Sequence, residues 1–160
     1  MKESAKELVK LLSERGMTVT TAESCTGGLV SAAITAIPGS SAVLDGALVS
    51  YATAVKGRFL NVDPQILYEI GVVSPECAEA MAKGAAALFS ADAAIAVTGN
   101  AGPSAGDPNA PVGRVYIAAY LLGRVTVREL NLPGDREQVR ACAAKEAISL
   151  LCEQIREIVG

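Results

Sequence analysis

Residues 17–37 most constrain the fold, because a strand pattern runs directly into a glycine-containing turn and then into a helical pattern. Residues 17–23 are rich in β-branched side chains and alternate in polarity, which predicts a strand. A similar order returns at residues 93–98, an apolar strand pattern that leads into the glycine- and proline-rich loop 99–112. Strands that alternate with helices along the chain are typical of an α/β domain with parallel strands.

The other segments of the chain also carry sequence signals that predict helices and strands. Asp63 before Pro64 and Ser74 before Pro75 predict helix starts, since Asp and Ser cap helices and proline favours the first helical position. Asp135 caps a last helix in the same way. Further helices are predicted over residues 4–15, 55–60 and 74–90, and further strands over residues 44–51, 115–121 and 125–132.

The order of these elements predicts one domain. A length of 160 residues fits a single domain, and a hydrophobic content of 51% supplies enough apolar surface for a core. The short turn between residues 115–121 and 125–132 predicts a hairpin, and therefore at least one antiparallel strand. The predicted fold is a single three-layer α/β/α domain over residues 1–160, with a mixed, mostly parallel sheet of about five strands.

Composition excludes several classes of function. The net charge of −3, the lack of a long basic run and an aromatic content of 4% argue against nucleic-acid binding. The chain has no His, which excludes His-based triads, His-ligated zinc and His general bases. Proton transfer in any catalysis therefore depends on Lys, Asp, Glu, Cys, Tyr or water.

The distribution of charges and cysteines favours a protein of the cytoplasm. Residues 1–15 interleave charged with apolar positions, unlike a signal peptide. The uncharged stretch between Ser24 and Leu44 contains glycines and a proline that make it a poor transmembrane segment. The four cysteines form no CxxC pair, which is typical of reduced thiols, and we expect three of them to lie in the core, namely Cys77, Cys142 and Cys152.

The turn after the first predicted strand is a candidate site. Ser24 follows this strand, and open α/β sheets bind ligands at the carboxyl ends of their strands. The backbone N–H groups of Thr26, Gly27 and Gly28, at a helix start, suit an oxyanion or a phosphate. A capping Ser or Thr with two helix-packing glycines explains the same residues, so the pattern alone leaves both interpretations open.

A nucleophile in this turn needs a base. Cys25 competes with Ser24 as the nucleophile, but a reactive thiolate normally needs a cationic or His partner. Lys56 differs from the other lysines because it follows an apolar strand, which places it near the ligand-binding edge of the sheet. Burial and the neighbouring Arg58 would lower the pKa of Lys56 and leave a neutral amine as base. A solvated helix lysine is the alternative.

The loop after residues 93–98 is a second candidate site. Thr98, Gly99 and the glycines that follow offer successive backbone N–H groups that suit an anion. The loop matches neither GxxxxGK[ST] nor GxGxxG, so a long connecting loop is an equal alternative. Arg136 and Arg140, one helical turn apart, are candidate phosphate contacts, with exposed surface arginines as the alternative.

Several short motifs follow one another along nearly the whole chain and carry a resemblance to a known family. They are Thr21-Ala22-Glu23-Ser24-Cys25-Thr26-Gly27-Gly28, Tyr51 with Lys56, Val73-Ser74-Pro75-Glu76, Ala96-Val97-Thr98-Gly99, Ala101-Gly102-Pro103, Pro111-Val112-Gly113 with Val115-Tyr116, and Pro133-Gly134-Asp135-Arg136 with Val139-Arg140. In this combination and order the chain resembles the CinA C-terminal domain family, the nicotinamide-nucleotide amidases.

The resemblance implies an activity and a set of site residues. Members of this family hydrolyse the carboxamide of nicotinamide mononucleotide to nicotinic acid mononucleotide and ammonia, in bacterial pyridine-nucleotide recycling. The resemblance implies a Ser–Lys dyad formed by Ser24 and Lys56, with no metal and no organic cofactor. Tyr51, Thr98 and one of the two arginines, Arg136 or Arg140, are the implied substrate contacts.

The chain departs from the family pattern near the implied site. Ala52-Thr53 replaces a common Ser-Asn, Asn100 replaces a usual apolar residue, and Ser104-Ala105 replaces a glycine pair. These departures keep two alternatives open. One is a catalytically impaired relative that binds a ligand or a partner and is linked to competence, and the other is an amidase for a different amide.

The resemblance also bears on domain organisation and assembly. Many relatives carry a preceding nucleotide-processing domain, and residues 1–16 are too short to form one, so we expect an amidase domain alone. We further expect a homo-oligomer, most simply a dimer, because α/β domains of this size often associate symmetrically.

Overall fold

A computed structural model describes residues 1–159 of the chain. Within them the helices are α1 (Lys2–Ser13), α2 (Leu29–Thr35), α3 (Thr53–Leu60), α4 (Pro75–Phe89) and α5 (Arg136–Val159), with short helical turns at Ser40–Ala42 and Ile66–Ile70. The strands are β1 (Val19–Glu23), β2 (Leu44–Val49), β3 (Ala93–Gly99), β4 (Arg114–Leu121) and β5 (Arg124–Asn131). The predicted helices and strands are all present, with their ends displaced by a residue or two.

The strands form one sheet in the order β2-β1-β3-β4-β5. β1 pairs in parallel with β2 and β3, whereas β4 pairs antiparallel with β3 and β5. β5 therefore points in the same direction as β1, β2 and β3, and β4 runs opposite to them. The prediction of a mixed, mostly parallel sheet of five strands in a single α/β domain is confirmed.

Helices cover both faces of the sheet, and the central strand β3 is buried on both. Ile95 and Val97 pack in a core shared with α1, α2 and α5. Ala94 and Ala96 point to the opposite face and pack in a core shared with α4 and the end of α3. This alternation follows from the period of two in a strand, and the small alanines let α4 lie close to the sheet.

The helix α3 is held against α4 by a close backbone approach. A Cβ atom at Gly84, in α4, would overlap the backbone of Leu60, the last residue of α3. Only glycine leaves room for this contact. The position of α3 relative to the sheet is therefore fixed by α4, which matters because α3 carries Lys56.

Side-chain caps begin two of the helices as predicted. Ser74 Oγ accepts a hydrogen bond of 3.1 Å from the N–H of Cys77, at the start of α4. Asp135 Oδ1 accepts one of 2.9 Å from the N–H of Gln138, at the start of α5. Each cap supplies a partner for one of the N–H groups that a helix leaves unpaired in its first turn.

The longest helix, α5, packs a stripe that includes Val139 and Ala143 against the sheet. Cys152 lies on this stripe and is buried, as is Cys77 in α4. The prediction was wrong for Cys142, which is only partly buried because it flanks the stripe. Neither α5 nor any other helix of residues 1–159 has the length and apolar character needed to cross a membrane.

Candidate active site

The carboxyl ends of three parallel strands meet at one edge of the sheet, beside a cavity of about 280 Å³. The residues after β1, β2 and β3 reach this cavity, as does the start of α5, which follows β5 at the same edge. The cavity is lined by Ser24, Cys25, Tyr51, Thr53, Lys56, Val72, Val73, Thr98, Gly99, Asn100, Ala101, Ser104, Gly106, Asp107 and Arg136. Six predicted site residues thus come together, namely Ser24, Tyr51, Lys56, Thr98, Gly99 and Arg136.

The side chain of Lys56 is buried at the base of the cavity. Only 1% of the residue is exposed. Its Nζ lies 3.1 Å from Ser24 Oγ, 2.6 Å from the carbonyl oxygen of Ser50 and 3.3 Å from that of Tyr51. Burial lowers the pKa of Lys56, because the charged form loses its hydration. The alternative of a solvated helix lysine is therefore wrong.

The partners of Lys56 fix the direction of its lone pair. A neutral amine has two N–H groups and one lone pair, and a carbonyl oxygen can only accept a hydrogen bond. The carbonyls of Ser50 and Tyr51 therefore take the two N–H groups, and the lone pair is left facing the hydroxyl of Ser24. An amine placed in this way can accept the proton of that hydroxyl.

Cys25 also lines the cavity but is a poor nucleophile there. Burial raises the pKa of its thiol to about 11, although Arg140 and Lys56 act in the opposite direction. The thiol is therefore protonated near neutral pH, and the thiolate is the reactive form. The structure favours Ser24 over Cys25 as the group that Lys56 can activate.

The turn after β1 is built around Glu23, a residue that the sequence analysis did not single out. Its carboxylate is fully buried. Glu23 Oε1 accepts hydrogen bonds from the N–H of Val30 at 2.8 Å and from Thr26 Oγ1 at 2.9 Å. Glu23 Oε2 accepts them from the N–H of Ser31 at 3.0 Å and from Thr21 Oγ1 at 3.1 Å. An anion at a helix N-terminus is favourable, so Glu23 anchors α2 beside Ser24.

Gly27 and Gly28 shape this turn and do not line the cavity. Their φ angles are +59° and +108°, in the region that favours glycine. The N–H of Gly27 donates to the carbonyl of Ser24 at 3.0 Å, and the Thr26 hydroxyl is used by Glu23. The capping and packing interpretation therefore accounts for Gly27 and for the hydroxyl of Thr26, and it leaves the backbone N–H groups of Thr26 and Gly28 as candidate oxyanion donors.

Arg136 and Arg140 lie in different surroundings, which separates the two candidates. Arg136 lines the cavity, where Nη2 donates to Tyr51 Oη at 2.9 Å and Nη1 to the carbonyl of Gly102 at 2.7 Å. Arg140 lies behind the turn, where Nε donates to the carbonyl of Cys25 at 2.9 Å. Of the two arginines, Arg136 alone lines this cavity, whereas Arg140 supports the turn that carries Ser24.

The loop after β3 is folded around the buried side chain of Asn100. Its Nδ2 donates to the carbonyls of Asp107 at 2.9 Å and Ala110 at 3.0 Å, and its Oδ1 accepts from the N–H of Asp107 at 3.0 Å. Asn100, which replaces a usual apolar residue of the family pattern, thus stabilises its own loop. Thr98 Oγ1 donates to the carbonyl of Val72 at 2.7 Å, which ties this edge of the cavity to the segment before α4.

The fold and the site place this chain in a class of small α/β domains that assemble a binding or reaction site from the loops at the carboxyl edge of the sheet. Comparison with known proteins gives the family. The family model described as the CinA C-terminal domain matches residues 1–155. The chain therefore belongs to the CinA C-terminal domain family.

Individual relatives agree with this assignment. The chain is 43% identical over 144 residues to a CinA-like protein of Dictyoglomus thermophilum, which covers 90% of this chain and 35% of that protein. It is 45% identical over 159 residues to a CinA-like protein of Mycobacterium tuberculosis, covering 98% of this chain and 36% of that protein. The chain thus spans about a third of the length of these curated relatives.

Solved structures match over nearly the full chain. A CinA superfamily protein of Klebsiella pneumoniae superposes with a TM-score of 0.93 at 34% identity, over 98% of both chains. The competence/damage inducible protein CihA of Agrobacterium tumefaciens has a TM-score of 0.91 at 38% identity, over 95% of this chain and 93% of that one. The fold described above is the fold of this superfamily.

Proposed function

We propose that this domain hydrolyses the carboxamide of nicotinamide mononucleotide, giving nicotinic acid mononucleotide and ammonia. The observation that carries the proposal is the distance of 3.1 Å between Lys56 Nζ and Ser24 Oγ inside a ligand-sized cavity. The resemblance to nicotinamide-nucleotide amidases supplies the substrate. The buried amine supplies a general base in a chain that has no His.

In the first half of the reaction, Ser24 becomes acylated. Lys56 accepts the hydroxyl proton as Ser24 Oγ attacks the carboxamide carbon, which forms a tetrahedral intermediate. The Lys56 ammonium then gives this proton to the amide nitrogen. The C–N bond breaks, ammonia leaves, and an ester joins the nicotinoyl group to Ser24.

In the second half, water releases the acid. Lys56 accepts a proton from the water molecule as its oxygen attacks the ester carbon, and the proton passes to Ser24 Oγ when the ester bond breaks. The net reaction consumes one water and yields the acid and ammonia. In each half the Lys56 amine accepts one proton and gives it up again, so no second acid or base is required.

The substrate contacts follow from the lining of the cavity. Arg136 is the guanidinium that faces the cavity, and arginine binds phosphate through paired N–H groups. Tyr51, Thr98 and Gly99 line the same cavity as Arg136 and the dyad and would contact the nucleoside. The N–H groups of Thr26 and Gly28 remain the proposed oxyanion donors, whereas Gly27 donates within the turn.

The departures from the family pattern leave the proposed dyad intact. The side-chain hydrogen bonds of Asn100 are all made within its own loop. Ala52 and Thr53 replace Ser-Asn, yet the hydrogen bonds that hold Lys56 come from backbone carbonyls before them. These observations favour a working amidase over the impaired, binding-only relative.

The test is the release of ammonia and nicotinic acid mononucleotide by the purified chain. We expect turnover to be lost in Ser24→Ala and in Lys56→Ala, and to be retained in the exposed controls Ser41→Ala and Lys145→Ala. Circular dichroism would show that all four variants fold. Binding of nicotinamide mononucleotide without turnover by the unsubstituted chain would instead support the binding-only relative. Faster turnover of free nicotinamide or of the dinucleotide would point to a different amide substrate.

A further inference from the structure

Asp107 lines the cavity and is nearly buried, with 6% of the residue exposed. Oδ1 accepts a hydrogen bond from the N–H of Asn109 at 2.9 Å, and Oδ2 accepts one from the N–H of Val73 at 2.9 Å. Both donors are neutral. Asp107 takes part in none of the ion pairs found among residues 1–159.

A buried carboxylate without a counter-ion is costly, and the cost falls when a cation approaches. Lys56 does not supply that cation, because its Nζ contacts Ser24 and the carbonyls of Ser50 and Tyr51 and forms no ion pair with Asp107. Each oxygen of Asp107 has accepted one hydrogen bond and has further lone-pair capacity. A positively charged group of a ligand is therefore the natural partner for Asp107.

The cavity also carries a permanent positive charge, that of Arg136, on a different part of its wall. Arg136 is bound to Tyr51 and Gly102, whereas Asp107 is bound to Val73, in the segment before α4. A ligand that fits both charges has an anionic group and a cationic group. Opposite charges placed in this way act mainly on specificity, since ligands that lack either charge leave a desolvated group unpaired.

We propose that Asp107 is a specificity-determining residue that selects ligands whose aromatic ring is positively charged. The inference rests on the proposed function, in which the substrate has a pyridinium ring and a phosphate. It adds that the ring charge itself is recognised, by Asp107, while Arg136 binds the phosphate. The domain thereby prefers N-substituted pyridinium amides to neutral amides of the same shape.

Two nucleotides differ in ring charge and share the groups outside the ring, and the Asp107→Asn comparison isolates the effect of the charge. Nicotinamide mononucleotide and its reduced dihydro form share the carboxamide, ribose and phosphate, but the reduced ring is neutral. Their dissociation constants would be measured by calorimetry with Ser24→Ala, which is expected not to turn the substrate over. We expect the oxidised form to bind about tenfold more tightly, and the ratio to fall to about one in Ser24→Ala/Asp107→Asn through weaker binding of the oxidised form.

A matched variant controls for loosening of the loop. Asn100→Ala removes the hydrogen bonds to Asp107 and Ala110 but keeps the carboxylate. In the Ser24→Ala background it is expected to weaken both nucleotides by a similar factor and to preserve the preference. A preference that survives Asp107→Asn, or equal losses for both nucleotides in that variant, would overturn the inference. Lack of any preference in Ser24→Ala alone would overturn it too, even if Asp107→Asn does not fold.

Ammonia release by the unsubstituted chain tests the proposed function separately. Turnover of nicotinamide mononucleotide with no preference for the oxidised ring would retain the amidase and reject the role of Asp107. A clear preference that depends on Asp107, without turnover, would retain cation recognition and reject the amidase.

Discussion

Lys56 is the residue whose ionisation should control the rate. Its pKa is lowered from 10.5 by burial, and only the neutral amine can accept the proton of Ser24. We therefore expect kcat/KM for nicotinamide mononucleotide to rise with pH through one ionisation whose pKa is below 10.5. A pH series of initial rates measures this directly. A rise of kcat/KM with a pKa at or above 10.5 would contradict a role for the buried Lys56 as the base.

The same shift predicts a pH dependence of stability. The folded chain releases the Lys56 proton at a lower pH than the unfolded chain, whose lysine titrates near 10.5. Between those two values the unfolded state binds more protons, so the free energy of unfolding rises with pH. A Lys56→Met variant lacks this contribution, and we expect the unsubstituted chain to gain stability relative to it as pH rises through that window.

Urea unfolding of both proteins at several pH values measures the difference between them. The comparison removes the contributions of the other titrating groups, which the two proteins share. If the free energies of unfolding of the two proteins change equally with pH between the folded and unfolded pKa values of Lys56, then Lys56 has the same pKa in both states.

Glu23 is expected to be important for stability because four donors depend on its carboxylate. Glu23→Gln replaces one acceptor oxygen by an NH₂ group that faces N–H or O–H donors. Buried donors left without acceptors are costly, so we expect a loss of at least about 2 kcal/mol in the free energy of unfolding. Asp45→Asn, at an exposed carboxylate, should change it by no more than about 0.5 kcal/mol. Urea denaturation compares the two, and equal small changes would show that the donors find other partners.

Single residues could be predicted from the sequence where a local pattern exists. Ser24 after a strand is such a pattern, and the apolar strand before Lys56 indicated its unusual position. Glu23 and Asp107 were not predicted, because acidic residues are usually exposed and their burial depends on donors far along the chain or in another segment. The bond from Val73 to Asp107 joins residues 34 positions apart, which no local pattern reveals.

The turn between β1 and α2 should be more sensitive to substitution than a turn of the same backbone conformation elsewhere. Gly27 and Gly16 have φ angles of +59° and +61°. An added Cβ meets nothing within 4 Å at Gly16, but at Gly27 it lies 3.3 Å from Arg140 Nη2. We expect Gly16→Ala to cost about 1 kcal/mol from backbone strain alone, and Gly27→Ala to cost more.

Denaturant midpoints of the two variants test this comparison. The extra loss of stability at Gly27 is expected because Arg140 donates to the carbonyls of Cys25 and Thr26 and cannot move without loosening the turn. Equal costs would show that Arg140 adjusts freely.

Helices and strands were predicted well because their signals are local, in caps, periodicity and turn residues. The end of β2 was displaced for a reason that is not local. Strand pairing stops at Val49, after which the N–H of Ser50 donates to the carbonyl of Glu23 and its own carbonyl turns to Lys56. The packing of α3 on α4 at Gly84 is also long-range, and it could not be read from either helix alone.

Across the whole domain, the proposed dyad joins the two helical layers. Ser24 belongs to the turn that packs with α2 on one face of the sheet, whereas Lys56 lies on α3, which packs on α4 at the other face. We therefore expect ammonia release and far-ultraviolet circular dichroism to be lost at the same urea concentration. Activity lost well before the secondary structure would mean that one layer detaches first.

Because backbone carbonyls hold the amine of Lys56, the side chains beside it can change during evolution. A peptide carbonyl is the same chemical group whichever side chain accompanies it. The surroundings of the amine are therefore determined by the path of the backbone through residues 50 and 51, and not by the identities of residues 50–53. A lineage can exchange side chains beside Lys56, as in Ala52-Thr53, and keep the same backbone acceptors around its amine.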